Sequence, residues 1–224
     1  MALTTLATDP RMRRTRFVVI DFEALTPAGR PPEPVEVATV TLMCRPDGTF
    51  DELDEFTTLI RPPDDVPITA LDQAAGITRT LLATAPPAAE AMASLDERIL
   101  GSSRAAGHAV LLVAQNAGTE RTLLHGQRSH CPGLADTPLL DTLRLARAGL
   151  PELTAHGLSE LARYFAVPIP HDRHRALADV RLTVAVLRAL LERGRWDTLL
   201  DLERAALMQP RKADTPAAEQ TGLF

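Results

Sequence analysis

Two cysteines in 224 residues, Cys44 and Cys131, are too few and too far apart for a disulfide framework or a four-cysteine zinc site. They fit a reduced compartment. Aromatic residues make up only 4% of the chain, with Trp196 the single tryptophan, so few platforms exist on which successive bases of a long single strand could stack. Lysine occurs once, at Lys212, which leaves nearly all positive charge to arginine. Long hydrophobic runs are missing: a stretch such as Ala109-Val-Leu-Leu-Val-Ala114 falls far short of the roughly 20 apolar residues a membrane span needs. Arg11, Arg13, Arg14 and Arg16 precede a core strand rather than an apolar leader with a processing site. A cytoplasmic protein with no membrane partner is therefore expected. The net charge of −5 excludes coating nucleic acid by bulk electrostatics. A local site stays open, because cations held in an acidic cleft reverse the sign that a phosphate feels.

What is present is an ordinary globular composition, 45% hydrophobic and 24% charged, in a length that suits one domain with tails. Residues 1–14 read as a loose N-terminal tail, 15–208 as the domain, and 209–224 as a flexible C-terminal tail without hydrophobic period. Strands are predicted at 17–25, 35–42 and 56–60, joined by turn-forming stretches, which suggests an antiparallel meander. Helical patterning follows at 68–75 and 88–100, then a strand at 109–114, a helix at 117–124, and a strand around 138–141 leading into a helix that runs to 148. Further helices are predicted at 158–165, 176–192 and 197–208. Hairpin strands first and strand–helix alternation later describe an α/β mixed sheet, its first three strands antiparallel and the rest parallel, with helices on both faces.

Within the first strand, Phe17-Val-Val-Ile-Asp-Phe-Glu-Ala-Leu25 sets two carboxylates in an apolar run. Side chains alternate along a strand, so Asp21 and Glu23 share one face while Ile20 and Phe22 share the other. A bound cation relieves two adjacent like charges better than a single Lys or Arg. Downstream, Asn116 and Glu120 are four apart at the start of a helix that follows a strand, and so share a face aimed at the strand ends. His174 stands at the entry to the long late helix, with Asp179 on its first turns. The cluster of His125, His130 and Cys131 lacks a fourth ligand nearby and reads as an exposed loop.

Asp-x-Glu on the first strand, Asn-x-x-x-acid after a later strand and His-x-Ala-x-x-Asp at a late helix, in that order, resemble the DEDDh family of 3′→5′ exonucleases. That family includes the proofreading subunit of bacterial replicative polymerases, ribonuclease T and oligoribonuclease. The resemblance covers residues 15–195 and implies an RNase H-like fold, two divalent cations, Mg²⁺ or Mn²⁺, and release of mononucleotides from 3′ ends. It assigns Asp21, Glu23, Glu120 and Asp179 to the metals, with Asp21 as the bridge, and His174 as general base, its unperturbed pKa near 6.5 allowing it to accept a proton at physiological pH. Phe22, Ala24, Leu25, Gln115 and Asn116 become the substrate contacts. Two positions depart from the pattern: Glu120 stands where the family usually has Asp, and Gln115 where His is common. Gln115 can hydrogen-bond a substrate but cannot titrate.

The chain ends in Gln220-Thr-Gly-Leu-Phe224, similar to the short peptide with which bacterial polymerases and repair proteins dock on the sliding clamp. Gln220, Leu223 and Phe224 would make that contact, on a linker spanning about 18 Å by flexible-chain scaling. The expected substrate is DNA 3′ ends, in proofreading or repair. RNA 3′ ends are the alternative, since sugar discrimination depends on contacts to the 2′-OH that a sequence does not locate. A third reading, motivated by Glu120, is an inactive adaptor joining nucleic acid to the clamp.

Overall fold

The computed structural model of the chain describes residues 5–171, 175–194 and 196–211. Six strands form one mixed sheet in the order β3-β2-β1-β4-β5-β6, with β1 Thr15–Leu25, β2 Glu33–Cys44, β3 Phe50–Leu59, β4 Ala109–Ala114, β5 Leu139–Asp141 and β6 Leu207–Met208. The first three are an antiparallel meander, as the turn spacing predicts, while β4 pairs parallel to β1 and β5 parallel to β4. The β2–β3 turn places Gly48 at φ +89°, a conformation that costs glycine nothing.

Six longer helices cover the sheet: α1 Ala88–Asp96, α2 Gly118–Gly126, α3 Thr142–Gly149, α4 Leu158–Tyr164, α5 Ala176–Arg193 and α6 Leu199–Ala206. A π-turn at Glu97–Gly101 carries α1 on into the short Ser102–Ala105 helix. β1 is buried on both faces, as a central strand must be. Phe17 and Val19 pack with α3, α4, α5 and α6 in one core; Val18, Ile20 and Phe22 pack with α1 and α2 in another. Asp21 and Glu23 continue the Phe17/Val19 row, so the sheet presents them on the side that α5 covers.

Three expectations need correcting. Residues 5–14 are not a loose tail: Leu6, Ala7 and Met12 are buried in the α5-side core, and Asp9 Oδ2 accepts the N–H of Leu199 at 2.8 Å. The segment closes the core beneath α6, which the arginine-rich sequence hides because its apolar residues, Leu6, Ala7 and Met12, are few and irregularly spaced. The third strand begins at Phe50, six residues early. It is an edge strand whose Glu52, Asp54 and Glu55 pair with Arg188, Arg98 and Arg181, and such charges read as a loop although they protect an open edge from stray pairing. Lastly, the helix expected to reach residue 208 stops at Ala206, and Leu207–Met208 add β6 antiparallel to β5. Residues 212–224, including Gln220, Leu223 and Phe224, lie outside the described residues, as does His174.

Candidate active site

Asp21 and Glu23 stand two apart on β1, close to its C-terminal end at Leu25. The β1–β2 register runs unbroken to Glu23 opposite Glu36, then skips Val35 so that Ala24 faces Pro34. The extra residue makes a bulge in β2 just beyond the second acid, a place where proline, which offers no N–H to the ladder, is tolerated. Asp179 enters from the first turn of α5, where a carboxylate is favoured by the helix dipole. Opposite Asp21 in the ladder is Ala38, whose small side chain lets α5 approach. Ligand atoms of Asp21, Glu23 and Asp179 all lie within 4.8 Å of one another.

Glu120 approaches from the other layer. It sits in the first turn of α2, a helix whose Leu123 and Leu124 pack in the α1-side core. The corner that starts α2 is fixed by Asn116, which adopts φ +56° and donates its backbone N–H to Asp141 Oδ1 at 3.0 Å. Asparagine tolerates this left-handed conformation better than most residues. Glu120 is 4% exposed, and its Oε2 has no hydrogen-bond partner among the described residues. Burial, with the charges of Asp141 and Glu23 adding to it, pushes its carboxyl up to about 8. Glu120 is thus near Glu23 without belonging to the 4.8 Å trio of Asp21, Glu23 and Asp179.

Oxygen-only donors, crowded carboxyl groups and the orphaned Oε2 of buried Glu120 fit a hard divalent cation. Among the described residues this trio is the single His/Cys/Asp/Glu group with metal-holding geometry. The His125–Cys131 stretch is not an exposed loop: Cys131 is fully buried, its thiol directed at the Gln127 carbonyl and pushed by burial up to about 12, which leaves it protonated and inert.

The residues expected at the substrate are placed variously. Phe22 and Leu25 are buried, each in a different core cluster, while Ala24 is half-buried. Asn116 is exposed. Gln115 is engaged by the protein on both ends of its amide, donating to the His156 carbonyl at 3.1 Å and accepting from Thr142 Oγ1. Sequence reasoning passed over two residues. Asp141 caps α3 by accepting the Leu143 N–H at 2.9 Å, and an acid between an apolar strand and a helix was the available signal. Glu36, buried across from Glu23, pairs with Arg175; nothing local in the sequence announces that contact.

Comparison with known proteins agrees with this geometry. The exonuclease family model (RNase_T) matches residues 18–187. A protein of Mycobacterium tuberculosis (strain CDC 1551 / Oshkosh) with an inferred bifunctional exonuclease/endonuclease role is 35% identical over 202 residues, 86% of this chain and 29% of that protein. The DNA polymerase III subunit epsilon of Aquifex aeolicus (strain VF5) is 30% identical over 176 residues, 79% of this chain and 80% of the subunit. The chain therefore spans under a third of the mycobacterial relative and most of the polymerase subunit. Among solved structures, the nuclease domain of 3′hExo, a DEDDh family member bound to rAMP, superposes with a TM-score of 0.68 at 16% identity, covering 83% of this chain and 94% of that domain. The mixed sheet and its helices are thus RNase H-like. With the match spanning the strand that carries Asp21 and Glu23 and the helix that brings Asp179 to them, the chain belongs to the exonuclease family.

Proposed function

We propose that the chain is a metal-dependent 3′→5′ exonuclease that hydrolyses the terminal phosphodiester of DNA and releases nucleoside monophosphates, in proofreading or repair. The observation that carries the reading is the convergence of Asp21, Glu23 and Asp179 within 4.8 Å. Together with Glu120 they would hold two cations, Mg²⁺ or Mn²⁺, Asp21 bridging; such a pair, when bound, supplies an activated water and relief of charge at the departing 3′ oxygen. His174, from the sequence motif, takes the proton of the attacking water. Asn116 and Ala24 offer the accessible surface to the terminal nucleotide, with Phe22 and Leu25 bracing it from the core and Gln115 contributing its remaining N–H. Kinship with a polymerase III epsilon subunit supports DNA as substrate. Likeness to a domain bound to rAMP supports RNA as the second reading.

Incubating the protein with matched 3′-labelled DNA and RNA oligomers, with Mg²⁺ or Mn²⁺, tests class and substrate together. Loss of label from DNA, abolished by Asp21→Asn, is expected; preferential loss from RNA selects the second reading, and inertness towards both leaves the adaptor. The reading further places the protein in the cytoplasm, at the sliding clamp through Gln220, Leu223 and Phe224. Deleting 220–224 then weakens clamp binding and leaves hydrolysis of free oligonucleotides unchanged; equal clamp binding by both forms refutes the contact.

A further inference from the structure

Helix α5 delivers Asp179, yet its first turn has no side-chain cap, whereas α3 and α6 are capped by Asp141 and Thr198. Its start is fixed another way. Arg175, the N-cap residue, donates from Nε and Nη2 to both carboxylate oxygens of Glu36 at 2.9 and 3.1 Å, and its carbonyl accepts the Asp179 N–H at 3.1 Å. Glu36 is 6% exposed and stands directly across the β1–β2 ladder from Glu23. A continuous chain of contacts runs from one acid to the other: Glu23, its cross-strand neighbour Glu36, the Arg175 guanidinium, the Arg175 carbonyl and the Asp179 amide. Resting on the reading of the acidic trio as the metal site, we infer that the Glu36–Arg175 pair is a positioning element for metal binding, setting the distance between the β1 acids and Asp179.

The pair does two things at once. A two-pronged guanidinium–carboxylate bond fixes orientation as well as distance, so the first turn of α5 cannot slide or rotate against β2. It also satisfies a buried carboxylate that would otherwise add a further negative charge beside Glu23 and turn towards the cation itself. Lysine would keep the charge and lose the fork. Partners that orient metal ligands typically govern affinity by 10–100-fold, and that range is the scale expected here.

The experiment measures Mn²⁺ binding to the full chain by electron paramagnetic resonance, without substrate, alongside thermal unfolding in chelator. Arg175→Lys and Glu36→Gln are expected to weaken Mn²⁺ binding by about tenfold or more and to raise the metal concentration for half-maximal hydrolysis in parallel, with KM for the oligonucleotide little changed. Arg181→Ala, which breaks the Arg181–Glu55 pair on the same helix, serves as control and leaves Mn²⁺ binding unaltered. If Arg175→Lys, which keeps the charge on a half-exposed side chain, lowers the unfolding temperature while binding Mn²⁺ like the parent, the pair is a stabilising contact alone and the inference fails. A parent protein that binds no Mn²⁺ overturns the metal-site reading itself, and the inference with it.

Discussion

One carboxylate oxygen, Asp141 Oδ1, accepts the backbone N–H of Asn116 at 3.0 Å and that of Leu143 at 2.9 Å, joining the corner that starts α2 to the corner that starts α3. Because α2 carries Glu120, the bond sets where that acid stands. Asp141→Ala removes both acceptor contacts and is expected to destabilise the protein by roughly 2–3 kcal/mol, a lost helix cap plus an unsatisfied amide. Urea unfolding checks the size. The same substitution removes a charge that helps hold the Glu120 carboxyl up, so the titration of Glu120 should move towards lower pH.

Glu120 itself makes stability depend on pH in a direction opposite to that of a salt-bridged acid. Its carboxyl stands at about 8 in the folded chain against 4.5 ordinarily. Between those values the unfolded chain has lost a proton that the folded chain keeps, so folding stability falls as pH rises through this window and levels off above 8. Glu120→Gln, neutral throughout, should flatten the curve and be more stable than the parent at pH 8 by about 1–3 kcal/mol. Urea titrations in chelator from pH 5 to 9 give the comparison; parallel curves for both proteins would refute it.

How much of this was legible in the sequence depended on how local the signal was. Asp21 and Glu23 could be placed on one face because strand alternation is a property of the residues themselves, and Asp179 because its spacing from His174 fell on a well-marked helix. The meander and both helical layers followed from periodicity in the same way. Glu36 and Arg175 are 139 residues apart, and only tertiary packing brings them together. Gln115 was legible as a polar residue at a strand end, but its engagement by Thr142 and the 156 carbonyl depends on how α3 and the following loop fold back. β3 was misjudged in extent because its charged residues serve an edge rather than a core.

The N-terminal segment gives a test of packing. Met12 is fully buried against the core that α5 and α6 share, and Arg11 pairs with Glu203 on α6. Met12→Ala should cost about 2–5 kcal/mol, as for other large buried side chains, whereas Arg11→Ala, at an exposed ion pair, should cost under about 1 kcal/mol. A segment that merely dangled would give no difference between the two in urea unfolding.

The acidic trio leads to a last prediction, on the stability that metal confers. Asp21, Glu23 and Asp179 bring three carboxyl groups within 4.8 Å of one another, an arrangement that a bound cation stabilises. With Mg²⁺ or Mn²⁺ at 100 times the dissociation constant, the parent should gain about 2.7 kcal/mol over its own stability in chelator by mass action. Asp21→Asn removes one ligand while keeping shape, so the variant should gain far less over its own value in chelator. Its nuclease activity should drop by roughly two to three orders of magnitude, the scale of removing a principal charge-stabilising group. Equal metal-dependent stabilisation of the two proteins would mean that the site is not built around a cation held by Asp21.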